Sequence, residues 1–140
     1  MSPNQAPAAN GARAHVLVAD DDPALRDLLA DVLASEGLRV TTARTGQEVL
    51  RQMAADALDL VLLDVRMPRL EPAAFARAWR AAAPGQDVRV VVLSGLAQVP
   101  EPLRALSAVA PVRKPFDLDE LLDLVTDNCK AAQGACAVSS

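Results

Sequence analysis

The sequence has 140 residues, 51% of them hydrophobic, which is enough for one domain with a single substantial core. Its formal net charge of −4 argues against a protein that follows a nucleic-acid backbone, because such proteins cluster Lys and Arg. One Trp, two Phe and no Tyr also leave too few aromatic rings for stacking on bases. We therefore predict no nucleic-acid partner.

The apolar stretches are too short to cross a membrane. The longest, VRVVVL and LDLVLL, have the length of strands, and residues 1–14 lack the apolar segment of a secretory signal. We expect a cytoplasmic protein without a membrane partner. Cys129 and Cys136 would lie about 10 Å apart on a continuous helix, too far for a disulfide, so both are predicted to be structural.

Composition divides the chain into three segments. Residues 1–13 are small, polar and rich in turn formers, which indicates a mobile leader. Residues 14–132 carry the pattern of a folded domain, and residues 133–140 are predicted to be a short tail. Because this tail is too short for a second domain, we expect a protein with one folded domain.

Short apolar runs alternate with helical patterns along the folded segment, which is typical of β-α units around a parallel sheet. Strands are predicted over 15–19, 39–43, 58–63 and 88–93, with a brief fifth strand at Val112. Helices are predicted over 23–36, after a capping box at 45–48, over 72–82, over 101–108 and after a capping box at 117–120. The fold class is therefore α/β, with a doubly wound, five-stranded parallel sheet and five helices.

The first predicted helix has a defined start, end and buried face. Asp22 is expected to be its N-cap, Pro23 to occupy its first turn and Gly37 to end it. Its apolar residues, predicted to form one buried stripe, are Leu25, Leu28, Leu29, Val32 and Leu33.

Polar residues follow or end four of the predicted strands: Asp20 and Asp21, then Asp64, Ser94 and Lys114. The carboxyl ends of parallel strands share one edge of a sheet, where ligands of doubly wound folds bind. Several carboxylates held together repel one another, so this edge is predicted to bind a hard divalent cation, with Mg²⁺ the best fit. The absence of Cys and His there argues against zinc.

Each of these residues alone has a structural explanation, since Asp favours helix N-termini and Lys-Pro favours turns. Their convergence supports a chemical role. Asp64 is predicted to be a nucleophile that forms an aspartyl phosphate, while Lys114 and Ser94 hold phosphoryl oxygens. His15, the only histidine, is predicted to lie at the opposite edge without a functional role.

The stretches VLVADDDP, LVLLDVRMP, VVVLSG and RKPF, in this order and spacing, resemble the receiver domain of two-component response regulators over roughly residues 15–130. The resemblance implies a flavodoxin-like sheet of order 2-1-3-4-5 and a cis bond between Lys114 and Pro115. It implies that Asp64 is the phospho-acceptor, that Ser94 is the switch hydroxyl and that Lys114 contacts the phosphoryl group. The Mg²⁺ ligands implied are Asp20, Asp21, Asp64 and the backbone carbonyl of Arg66.

The resemblance also implies the partners. A histidine kinase or a histidine phosphotransfer protein would supply the phosphoryl group, because the chain has no phosphate-binding Gly-rich loop of its own. We interpret the chain as a stand-alone response regulator, similar to the chemotaxis type, which is a signalling switch rather than an enzyme. Its signal would pass by contact to an unidentified downstream protein.

Two positions depart from the family pattern. Pro72 stands where the family usually has Gly, and Pro111 stands three residues before Lys114, where the family has its switch aromatic. These departures leave open a pseudo-receiver that docks without regard to phosphorylation. A metal-dependent phosphatase using Asp64 is a further alternative, although Arg66 occupies the position of its second acidic residue.

Overall fold

The computed structural model describes residues 14–67, 70–82, 88–95 and 98–132. The predicted leader at 1–13, the predicted tail at 133–140 and Cys136 lie outside the described residues.

Five parallel strands form one sheet in the order β2-β1-β3-β4-β5. The strands are β1 His15–Ala19, β2 Arg39–Ala43, β3 Leu60–Asp64, β4 Arg89–Ser94 and β5 Val112–Arg113. The described residues contain five helices, which are α1 Pro23–Ser35, α2 Gly46–Ala55, α3 Pro72–Ala82, α4 Glu101–Leu106 and α5 Leu118–Ala132. The predicted α/β class and the implied strand order are both confirmed.

The sheet separates two buried layers. The layer beneath α2, α3 and α4 receives the helix residues Val49, Met53, Phe75, Trp79 and Leu103. The layer beneath α1 and α5 receives Leu29, Leu33, Leu121, Val125 and Cys129. Side chains of β1, β3 and β4 enter both layers, which explains why these strands read as unbroken apolar runs.

The predicted bounds of four strands and helices are wrong by one or two residues. α1 ends at Ser35 rather than residue 36. β3 covers Leu60–Asp64 rather than residues 58–63. Asp59, just before it, is bonded to the start of β1: its N–H donates to the His15 carbonyl at 2.9 Å, and its carboxylate accepts from the His15 N–H at 2.8 Å. β4 covers Arg89–Ser94 rather than residues 88–93. α4 ends at Leu106 rather than residue 108, since Ser107 pairs with Val90 at the open edge of β4.

The predicted stripe of α1 is wrong at Leu28, which is 48% exposed. Leu29 and Leu33 are fully buried and mark the centre of the inward face. Leu28 lies roughly 100° from Leu29 around the helix axis, so it falls on the flank of that face.

The predicted helix starts are confirmed by their hydrogen bonds. The Asp22 carboxylate accepts from the Ala24 and Leu25 N–H groups, with Pro23 in the first turn. The Thr45 hydroxyl accepts from the Glu48 N–H at 3.2 Å. Gly37 follows α1 with a φ of 89°, the left-handed conformation that glycine adopts without strain.

No helix among the described residues is long and apolar enough to pass through a membrane.

Candidate functional site

The predicted site residues meet at the carboxyl edge of the sheet. Asp20 follows β1, Asp64 ends β3 and Ser94 ends β4. Lys114 follows β5, and its backbone N–H donates to the Ser94 carbonyl at 2.8 Å. The parallel register therefore brings together residues that are far apart in the sequence, as predicted.

Three carboxylates form a compact acidic cluster at this edge. One oxygen from each of Asp20, Asp21 and Asp64 can be chosen so that all three lie within 4.8 Å of one another. Asp20 and Asp64 are buried, with 0% and 1% of their surface exposed, whereas Asp21 is exposed. The cluster is thus a buried pair of acids with a third acid at its open side.

Lys114 bridges the two buried acids. Its Nζ atom lies 3.0 Å from Asp20 Oδ2 and 3.4 Å from Asp64 Oδ2. The other oxygen of each carboxylate accepts from a backbone N–H: Asp20 Oδ1 from Asp22 at 2.9 Å, and Asp64 Oδ1 from Arg66 at 3.1 Å. Each buried carboxylate is therefore fixed by one backbone N–H and one shared ammonium.

The electrostatics of Asp64 are those of a crowded acid. Burial raises the pKa of its carboxyl above the usual range, and the neighbouring Asp20 carboxylate adds to the increase. The Arg66 N–H and the Lys114 ammonium lower the pKa without cancelling these effects. A single lysine thus leaves excess negative charge at the site when both acids are ionised.

This donor set fits a hard divalent cation. All three cluster members offer carboxylate oxygens, which Mg²⁺ prefers, and no sulfur or imidazole ligand belongs to the cluster. A divalent ion would supply the positive charge that Lys114 alone does not provide.

Two further groups border the acids. Ser94 is 1% exposed. The Arg66 side chain extends toward Gly95, where a Cβ atom would lie 3.8 Å from Arg66 Nη1.

The Lys114–Pro115 peptide bond is cis, as the resemblance implied. Pro72 begins α3, a position that tolerates the missing N–H of proline.

A cleft of about 610 Å³ opens beside Ser94, between α4 and the start of β5. Its walls are formed by Ser94, Gln98, Val99, Pro100, Glu101, Arg104, Pro111 and Arg113. The sequence singled out Pro111 but gave no sign of the cleft, because its volume depends on how the short helix α4 packs against the sheet.

Sequence reasoning also missed Arg26. Its Nη1 atom donates at 3.1 Å to the backbone carbonyl of Asp20, a member of the acidic cluster. A cation one helical turn after three consecutive aspartates was the available signal.

Comparisons with known proteins agree with this geometry. Residues 16–126 match the family model of the response regulator receiver domain. The response regulator MprA of Mycolicibacterium vanbaalenii is 40% identical over 109 residues, covering 76% of this chain and 46% of that protein. MprA of Mycobacterium ulcerans is 39% identical over 109 residues with the same coverage. The chain therefore spans about half the length of these relatives.

Solved structures share the fold. A CheY-like receiver domain protein from Methanospirillum hungatei superposes with a TM-score of 0.76 at 24% identity, covering 88% of this chain and 98% of that chain. The response regulator TrrA of Thermotoga maritima, solved in complex with Mg(2+)-BeF, gives a TM-score of 0.70 at 29% identity, covering 82% of this chain and 98% of that one.

Proposed function

This chain belongs to the family of response regulator receiver domains, and on that premise we propose that it accepts a phosphoryl group on Asp64 in a Mg²⁺-dependent reaction. The donor is a histidine kinase or a histidine phosphotransfer protein. One observation carries the proposal: the buried Asp64 carboxylate lies among two further acids and 3.4 Å from the Lys114 ammonium.

In the proposed transfer, a carboxylate oxygen of Asp64 attacks the phosphorus of a phosphohistidine. An O–P bond forms, the P–N bond breaks, and its electron pair returns to the imidazole nitrogen of the donor. Lys114 holds one anionic phosphoryl oxygen, and the Ser94 hydroxyl donates to another. The residues contribute position and charge rather than further covalent chemistry.

Asp20, Asp21, Asp64 and the Arg66 carbonyl would hold the Mg²⁺ ion. When bound, Mg²⁺ neutralises the charge of the phosphoryl oxygens during transfer. Asp20 and Asp64 are already fixed by the backbone N–H groups of Asp22 and Arg66, so these two ligands are preorganised.

The proposed output is protein contact. A phosphoryl group adds close to two negative charges beside Ser94 and Lys114, which favours surface arrangements that pair or solvate this charge. We propose that residues 14–132 form the receiver, with residues 1–13 before it and 133–140 after it, and that the receiver acts in the cytoplasm by binding a downstream protein. We propose no nucleic-acid or membrane partner for this receiver.

Intact-mass measurement tests the phosphorylation. Incubation of the full chain with Mg²⁺ and a small phosphodonor should add one phosphoryl group that is stable in acid and labile in base. Asp64→Asn should prevent the gain. Asp27→Asn, a matched change at an exposed acid of α1, should leave it intact. Equal modification of both variants would refute Asp64 as the acceptor.

A docking module that ignores phosphorylation is the second candidate. The cleft beside Ser94 favours it, because Pro111 lines the cleft where the family has its aromatic. Affinity for a captured partner, measured with and without beryllofluoride and Mg²⁺, separates the two. A change in affinity that Asp64→Asn abolishes supports the switch, and an unchanged affinity on a fully modified protein supports docking.

A further inference from the structure

Arg26 lies on α1, one turn beyond the acidic residues that follow β1. Its side chain is half-buried, and its Nη1 atom donates to the Asp20 carbonyl oxygen at 3.1 Å. This contact links the helix to the peptide unit between Asp20 and Asp21.

The neighbouring groups show why that peptide matters. The Asp20 N–H donates to Ala43 O, and the Asp20 carboxylate is held by Lys114 and the Asp22 N–H. The Asp21 side chain has no such anchor: it is exposed and makes no hydrogen bond or ion pair with the residues that the structure describes. The backbone is therefore what places the Asp21 side chain beside the two buried acids, and Arg26 holds the carbonyl that precedes it.

We propose that Arg26 is a positioning residue for the divalent-cation site, acting by fixing the Asp20–Asp21 peptide. The inference rests on the cation site of the proposed function. Arg26 does not bind the ion, since a guanidinium carries only donors and repels a cation. By holding this peptide, it keeps the Asp21 side chain where its carboxylate can join those of Asp20 and Asp64.

Charge and positioning predict opposite outcomes when Arg26 is truncated. If Arg26 acted only through its charge, removing this cation would strengthen the binding of Mg²⁺. If it acts by holding the peptide, removal releases Asp21 and weakens binding. The sign of the change in affinity therefore distinguishes the two roles.

Titration calorimetry of Mg²⁺ into the full chain measures that sign. Arg26→Met should weaken binding about tenfold, the lower end of the range for groups that orient metal ligands. Arg26→Lys keeps one donor and should recover part of the loss. Arg51→Met, which removes an exposed arginine from α2, should leave the affinity unchanged.

Phosphorylation by a small phosphodonor gives an independent reading. Arg26→Met should be phosphorylated more slowly than the parent at low Mg²⁺ and at the same rate at saturating Mg²⁺, because the substitution weakens cation binding. A deficit that persists at saturating Mg²⁺ would overturn the inference, as would an Arg26→Met affinity equal to or tighter than that of the unmodified chain.

Failure of the proposed function would look different. If the parent chain binds no Mg²⁺, both the cation site and the positioning role of Arg26 are refuted. If the parent binds Mg²⁺ and Arg26→Met binds it equally well, only the role of Arg26 is refuted. Circular dichroism shows whether each variant is folded. Should Arg26→Met unfold, Arg26→Lys decides: it should bind Mg²⁺ more weakly than the parent, because it recovers only part of the loss, and an affinity equal to that of the parent would overturn the inference.

Discussion

Lys114 forms ion pairs with two buried carboxylates, and these ion pairs stabilise the folded protein. Its Nζ atom is 3.0 Å from Asp20 and 3.4 Å from Asp64, and it is the cation found between them. Removing one partner of a buried ion pair leaves charge that water cannot solvate. The residue that we propose to hold a phosphoryl oxygen thus also stabilises the fold.

We expect Lys114→Met to lower the free energy of unfolding by about 3 kcal/mol in the presence of a chelator. This is the lower end of the range for breaking a buried pair, because the Lys114 side chain is partly exposed. Added Mg²⁺ should restore part of the loss by supplying positive charge to the same acids. Urea unfolding with EDTA or Mg²⁺ measures both effects.

The adjacent Arg113 provides the matched control for this experiment. Arg113 is exposed, so Arg113→Met should change stability by no more than about 0.5 kcal/mol. If Lys114→Met costs no more than Arg113→Met, Lys114 does not stabilise the buried acids.

His15 is buried at the opposite edge of the sheet, as predicted, and its Nε2 atom contacts the Thr41 hydroxyl at 2.5 Å. Burial lowers the pKa of this imidazole, and Arg39 lowers it further. The folded protein therefore favours the neutral ring, whereas the unfolded chain takes up a proton near its ordinary pKa of about 6.5. Stability from His15 is complete above that pKa and is lost as the pH falls below it.

The free energy of unfolding should thus fall more steeply between about pH 7.5 and pH 5.5 in the parent than in His15→Gln, which cannot titrate. Urea unfolding at several pH values gives the two slopes. Equal slopes would show that His15 does not contribute to the pH dependence of the free energy of unfolding, whatever the absolute stability of the variant.

The helices illustrate how consecutive aspartates divide their tasks. Asp22 caps α1 through the Ala24 and Leu25 N–H groups, while Asp20 and Asp21 belong to the acidic cluster. The sequence allowed this division to be predicted, because Pro23 fixes the first turn and so identifies the cap.

Asp22→Ala should destabilise the protein by about 1 kcal/mol, since two helical N–H groups lose their acceptor, and Asp22→Ser should recover most of this. Neither change should alter Mg²⁺ affinity. Thermal unfolding and Mg²⁺ titration measure the two properties separately.

Asp21→Ala serves as the reciprocal control, because its exposed side chain supports no helix cap. It should weaken Mg²⁺ binding while leaving stability nearly unchanged. Loss of Mg²⁺ binding in Asp22→Ala, without unfolding, would contradict the division of tasks.

The elements were predictable where a local chemical signal marks them. Asp22, Thr45 and Gly37 fix helix ends through their own hydrogen bonds or φ value, so those ends were found. The start of β3 was misplaced because Leu58 is apolar and buried like the strand residues, although it lies before the strand, and an apolar pattern does not distinguish the two. Leu28 was misassigned because periodicity defines a stripe but not its width.

At the scale of the whole molecule, parallel topology made the site predictable. Once five β-α units were recognised, Asp20, Asp64, Ser94 and Lys114 had to share one edge. The contact of Arg26 and the cleft beside Ser94 were not predictable, because both depend on side-chain directions and on how α4 packs. The remaining question is whether a change at Asp64 reaches that cleft.

The structure favours such transmission through α4. This helix has six residues, only Leu103 is buried, and its N-cap Pro100 provides no side-chain hydrogen bond. Few buried contacts and a missing cap give low local stability. Because Ser94 forms one wall of the cleft and α4 another, new interactions at Ser94 should alter the opening of α4.

We therefore expect beryllofluoride with Mg²⁺ to slow amide hydrogen exchange in α4 and around Val112. The α2 helix, which does not line the cleft, should exchange unchanged, and Asp64→Asn should abolish the effect. Mass spectrometry of peptic fragments provides the measurement, with Mg²⁺ alone as the reference. If exchange slows only in fragments that contain Asp20 or Asp64, phosphorylation does not alter α4, as the docking alternative requires.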